Sequence, residues 1–148
     1  MFEQILVPTD GSEAAGRAVD LALDIAETYD SGLHTVYVVD IGSLAADEDS
    51  DGWLIERALE ADGERAITEV RERAVGADIP VESGIRYGRP YKTILQYVDD
   101  NDIDLVVLGT HGRRGLDHYL LGSVTERVVR TAPVPVLTVR ATDRPATE

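Results

Sequence analysis

No cysteine occurs in the 148 residues, which excludes disulfides, thiol nucleophiles and zinc–thiolate sites. Lysine is almost missing as well: Lys92 is the only one, standing between Tyr91 and Thr93. A P-loop needs Gly-Lys followed by Ser or Thr, so that phosphate motif is ruled out. No apolar run approaches the roughly 18 residues of a membrane span, and Met1-Phe2-Glu3-Gln4 leads straight into a strand pattern. The reading is therefore no membrane segment, no signal peptide and a cytoplasmic location. Positive charge is scarce: 14 basic residues face 28 acidic ones, for a net charge of -14. Neutralising nucleic-acid phosphates needs a basic surface, so nucleic acid is excluded as a partner. Abundant Asp and Arg with almost no Lys resembles the composition of extreme halophiles, whose charge repulsion is screened within about 3 Å at 1 M salt.

What the chain does have is 43% apolar residues, enough for a globular core, with neither internal repeat nor linker. One domain over residues 1–148 is expected. Gln4 to Pro8 is a short apolar run ended by Pro-Thr-Asp-Gly, a strand and its turn. Ser12 and Glu13 open a helix in which Ala15, Val19, Ala22, Leu23 and Ala26 recur at helical spacing. Leu33 to Val39 reads as a second strand, Ile41 to Gly52 as an acidic loop. Trp53 to about Val75 reads as a long helix weakened in its middle by Gly63. Pro80 to Arg86 is a third strand, and Arg89-Pro90 begins a helix with proline at its favoured first position. Leu105 to Leu108 is a fourth strand, Gly122 to about Arg130 a helix and Val134 to Val139 a fifth strand. The tail from Ala141 is polar and reads as frayed.

Strands alternating with helices predict an α/β domain, an open parallel five-stranded sheet with helices on both faces. The two most turn-rich loops, Pro8 to Gly11 and Gly109 to Gly122, follow the first and fourth strands. Ligands of open α/β sheets sit where the strand order reverses, so these strands should be neighbours, which gives order 3-2-1-4-5.

The most informative stretch is Leu105 to Thr125, LVVLGTHGRRGLDHYLLGSVT. A buried-strand pattern runs into Gly109, then Gly112, then Gly122-Ser123 at an expected helix start: Gly, two residues, Gly, nine residues, Gly-Ser. Glycines let the backbone approach a ligand, and amides at a helix start point toward an anion, so the loop suits a phosphate chain. Arg113 and Arg114 add positive charge to it. The first turn, by contrast, is not Gly-x-Gly-x-x-Gly, which excludes a dinucleotide-binding start. A signalling receiver domain would want an acid ending its third strand, and Arg86-Tyr87-Gly88 stands there instead.

With these residues the chain resembles the universal stress protein family, in its ATP-binding branch. The likeness runs through Ile5 to Ser12, Val36 to Val39, Gly84 to Pro90, the glycine motif with Gly122-Ser-Val-Thr125, and Ala132 to Val139. It implies a Rossmann-like domain that binds ATP, with Mg2+ accompanying the phosphates, and a homodimer paired through the fifth strand. Carried over position by position, Pro8 and Thr9 line the adenine side and Asp10 bonds the ribose. Val39 offers main-chain groups to the base. Gly109, Gly112, Gly122 and Ser123 hold the phosphates, assisted by Val124 and Thr125 amides, with His111 and Arg113 nearby.

Several residues read two ways. Asp10 is a ribose ligand or only a turn former, and Ser123 a phosphate ligand, a helix N-cap or both. Arg113 and Arg114 contact a γ-phosphate or are solvated. Asp47 to Asp51 grips a cation or is a solvated loop. Trp53 belongs to the core or to an interface. His34, His111 and His118 are not spaced as metal ligands. A regulatory ATP-binding module with little or no turnover is the leading function, acting through a downstream protein the sequence does not name. A slow ATPase or autokinase is the alternative, and a chaperone-like dimer with incidental nucleotide a third. No acid–base candidate stands out, so no catalytic residue is assigned.

Overall fold

The computed structural model describes residues 1–40, 52–110 and 122–141. Along the chain run β1 (Gln4–Leu6), α1 (Glu13–Tyr29), β2 (Gly32–Asp40), α2 (Gly52–Gly76) and β3 (Val81–Gly88). They are followed by α3 (Pro90–Asp100), β4 (Leu105–Gly109), α4 (Ser123–Thr131) and β5 (Val136–Val139). The sheet has order β3-β2-β1-β4-β5 and every pairing is parallel, as the loops and the alternation of elements predict. β5 starts at Val136, two residues later than expected. Pro135 has no N–H for a ladder, and it enters only as an acceptor, from Val106 N–H at 3.0 Å.

Side chains of a strand alternate between faces, and here each face has its own core. On one face Ile5, Val7, Leu33, Leu105 and Val107 meet Ala18, Val19, Ala22 and Ala26 of α1 and Val70 and Ala74 of α2. On the other, Leu6, Val36, Val106 and Leu108 meet Ile94, Tyr97 and Val98 of α3 and Val128 of α4. Because both faces are covered, the strands read as continuous apolar runs.

His34 lies in this second layer, buried. Its Nε2 donates to Gln4 Oε1 at 2.7 Å, which leaves Nδ1 to accept from the Tyr97 hydroxyl at 2.7 Å. A Glu82 carboxylate oxygen stands 3.5 Å from Nδ1. Burial holds the ring below the usual imidazole range, with Glu82 pulling the other way. His34 is thus a satisfied core histidine joining β1, β2 and α3.

The glycine within α2 has a reason that periodicity did not supply. Gly63 is buried against β2, and a Cβ there would stand 2.7 Å from Cδ1 of the Tyr37 ring. Tyr37, Val39 and Ile67 form a small cluster at this contact. Helix propensity alone credits Gly63→Ala with about 1 kcal/mol of added stability. Overpacking of a closed contact costs about 1–3 kcal/mol, and Tyr37 is only 5% exposed, so packing wins. Gly63→Ala should lower stability in urea denaturation; a gain would show that the ring yields freely.

Candidate functional site

β1 and β4 lie side by side at the centre of the sheet, and the chain leaves them in opposite directions. A crevice at their carboxyl ends follows from that reversal. One wall is the turn after β1. Thr9 is buried, its N–H donates to Val36 C=O at 2.9 Å, and its Oγ1 accepts from Gly11 N–H at 3.1 Å. Asp10 Oδ1 accepts from Ser12 N–H at 2.9 Å. Gly11 takes φ +79°, the left-handed region where a side chain is strained. The turner role of Asp10 is therefore real. Ser12 then caps α1, its hydroxyl accepting from Ala15 N–H at 3.1 Å.

The other wall is the start of α4. Its N-cap is Gly122, at φ -60° and ψ 153°, and among the described residues no side chain caps the helix. Ser123 is thus the first helical residue, and its N-cap reading does not hold. The first amides of a helix lack intrahelical partners, and the N-cap glycine has no hydroxyl or carboxylate to offer them. Gly122 spends its own N–H on Thr110 C=O at 2.7 Å. Its amide is already committed, and Ser123, Val124 and Thr125 carry the helix-start N–H groups that an anion could meet. Thr110 N–H donates to Val139 C=O at 2.8 Å, and the Thr125 hydroxyl to Gly109 C=O at 2.7 Å. Thr110 and Thr125 thereby tie the two ends of the glycine loop to the sheet, a role no sequence signal marks for Thr110. His111, Gly112 and Arg113 lie outside the described residues, as do Arg114, Asp117, His118 and the acidic run Asp47 to Asp51.

Gly109 has a packing reason for its missing side chain. A Cβ there would stand 2.9 Å from the Ala14 carbonyl carbon and 3.0 Å from Ala15 N. The first turn of α1 rests directly on the end of β4. Val39 also sits differently from its expected role. Alternate residues of a parallel strand turn their main-chain groups to opposite neighbours. Gly32 N–H donates to Glu3 C=O, and the His34 and Val36 carbonyls accept from Val7 and Thr9, whereas Leu33 N–H donates to Pro80 C=O. That alternation turns the main chain of Val39 toward β3, and its side chain is buried beside Tyr37 and Ile67. Val38, one residue earlier, directs its N–H and C=O over the end of β1, toward the crevice.

Trp53 is 56% exposed, so it is not a core residue. No cluster of metal-ligating side chains occurs among the described residues, and none of their helices is long and apolar enough to cross a membrane.

Comparison with known proteins gives this geometry a setting. The profile of the universal stress protein family matches residues 1–140. Universal stress protein MJ0531 of Methanocaldococcus jannaschii is 33% identical over 141 residues, covering 95% of this chain and 83% of its own length. The solved structure of the hypothetical protein MJ0577 superposes with TM-score 0.86 at 26% identity, covering 97% of this chain and 99% of that one. A universal stress protein solved in complex with cAMP superposes with TM-score 0.68 at 27% identity, over 95% of this chain and 98% of that one.

Gly109→Ala tests the close contact with α1. The added carbon meets backbone rather than a pliable side chain, so a loss of about 1–3 kcal/mol is expected in chemical denaturation. Unchanged stability would remove the packing explanation.

Proposed function

Because the chain belongs to the universal stress protein family, we propose that it binds ATP in the crevice between the β1 turn and the start of α4. The observation that carries this is the beginning of α4: a glycine N-cap, no capping side chain among the described residues, and three helix-start amides at the strand-order reversal. Oriented amides with the positive end of the helix dipole suit phosphate oxygens. The relative in complex with cAMP supports a nucleotide as the ligand class.

In this reading Ser123, Val124 and Thr125 amides and the Ser123 hydroxyl hold the phosphates. Gly122 contributes by having no side chain over them. Asp10 bonds the ribose while keeping its turn, Pro8 and Thr9 wall the base, and the main chain of Val38 takes the part expected of Val39. Gly112, His111 and Arg113 complete the loop around the phosphates, which Mg2+ accompanies. Such an arrangement stabilises bound ATP without supplying an attacking group, so the protein acts as a regulatory module with little or no turnover. Its acidic surface suits a cytoplasm rich in salt. β5 is an edge strand with Leu137 exposed, and we read it as the strand through which two copies pair.

Isothermal titration with ATP checks the pocket. Gly122→Val should abolish binding with little change in melting temperature, since the Gly122 backbone angles are open to valine. Asp10→Asn keeps a turn acceptor but loses the charge, and should weaken binding by about 1.5–3 kcal/mol, roughly 10- to 150-fold. Phosphate release from saturating Mg-ATP should stay below about 1 s⁻¹. No heat from the wild-type chain, or equal binding by Gly122→Val, would overturn the assignment.

Sedimentation velocity checks the pairing. The wild-type chain should run as a dimer, and Leu137→Arg on the exposed face of β5 should shift it to monomer. A wild-type monomer would remove the interface.

A further inference from the structure

One corner of the molecule is apolar without a cover among the described residues. Trp53 is 56% exposed, Leu54 49% and Ile55 41%, and these three residues follow Gly52 in the first turn of α2. Consecutive residues on a helix point in different directions, so this turn is apolar around its circumference, a pattern of helices that are enclosed. Tyr87, 48% exposed, belongs to the same corner. Glu60, Glu56 and Glu64 act on its hydroxyl electrostatically. Among the described residues the other large exposed apolar side chains, Met1, Tyr29, Val75, Val129 and Leu137, are spread along the chain. Isolated apolar residues on a surface are ordinary; a cluster of them marks an interaction site.

Charge defines what can cover it. Glu56, Glu60 and Glu64 recur at helical spacing beside Tyr87, and Arg57 is the one basic residue of that stretch. The chain's own residues 41–51 include Asp47, Glu48, Asp49 and Asp51, like charges that would be repelled. Pairing this face with its own copy would set Glu56, Glu60 and Glu64 of two chains against each other, which disfavours a second copy here. A basic partner gains on both counts, apolar burial and charge complementarity.

We propose that the first turn of α2, with Tyr87 at the end of β3, is the docking surface for a protein partner whose apolar side chains are flanked by arginine or lysine. Trp53 and Tyr87 are the residue types that dominate such contacts, large and with few rotamers to immobilise. Their location adds a consequence. α2 runs antiparallel to the strands, and Trp53 lies seven residues before Glu60, so this turn reaches about 10 Å beyond Tyr87 at the carboxyl edge of the sheet. That is the edge on which the candidate site lies. Exposure and charge define this surface whether or not ATP binds.

Trp53 is the only tryptophan, so its fluorescence reports the surface directly. The full chain is titrated with a synthetic amphipathic peptide of leucine and arginine, and separately with its leucine–glutamate counterpart. Both titrations use one salt concentration at which circular dichroism shows the chain folded. The arginine peptide should give a saturable blue shift of Trp53 emission and the glutamate peptide none. Glu56→Lys/Glu60→Lys should weaken the response about tenfold. Leu54→Ser, a change of one exposed side chain, should also weaken it and serves if the double variant does not fold. No shift with the arginine peptide, equal shifts with both peptides, or undiminished binding by folded variants would overturn the proposal. So would a blue shift on raising protein concentration alone, which means a second copy. Trp53 shielded from acrylamide until residues 41–51 are replaced by a glycine–serine linker would also overturn it, since the chain would then cover itself.

Discussion

Ile5, Leu6 and Val7 have no accessible surface, and their burial on both sides is the constraint from which the architecture follows. Ile5 and Val7 face α1 and α2, whereas Leu6 faces α3 and α4. A strand enclosed in this way needs neighbours on both edges and helices on both faces. β2 and β4 supply the edges, and helical crossovers are the only short parallel connections that also cover the faces. Asp104 fixes the start of the arrangement: its carboxylate accepts from Glu3 N–H at 2.9 Å and Gln4 N–H at 3.2 Å.

The character of the crevice follows from how two helices begin at the same edge of the sheet. α1 is closed by the Ser12 hydroxyl, and its first turn is pressed onto Gly109. α4 is left open by Gly122. The contrast is one of side-chain chemistry: at α1 the N-cap hydroxyl takes one of the first amides, and at α4 the N-cap glycine has none to offer. Tying Gly122 to Thr110, and Thr125 to Gly109, sets that open start against the sheet rather than out in solvent.

The strand order was legible because polar loops stand out against apolar strands, and ligand crevices coincide with reversals of order. Helix starts at Ser12 and Pro90 were legible from local chemistry. What stayed hidden depends on contacts distant in sequence. Nothing near Gly63 announces that Tyr37 will lie against it, so propensity read the residue as a weakness. Gly109 belongs to a glycine pattern that points to a ligand, yet the atoms nearest its missing side chain are those of Ala14 and Ala15. Val38 and Val39 are indistinguishable as residues, and only strand register says which main chain faces the crevice. Ser123 is a good capping residue displaced by one position, because Gly122 already holds the extended conformation at the helix entry.

The pairing of β1 with β4 is the narrowest in the sheet. β2 and β3 share eight paired positions, whereas β1 and β4 share only Ile5 with Leu105 and Leu6 with Val106. β1–β3 form one half of the sheet and β4–β5 the other, and joining them closes about a hundred residues of sequence separation. Asp10 belongs to the first half and Ser123 to the second. A ligand gripping both would act as a staple across the seam, adding about 2.7 kcal/mol to the joined state at a hundredfold excess over its dissociation constant. The abundance of that ligand would then set how firmly the two halves stay together.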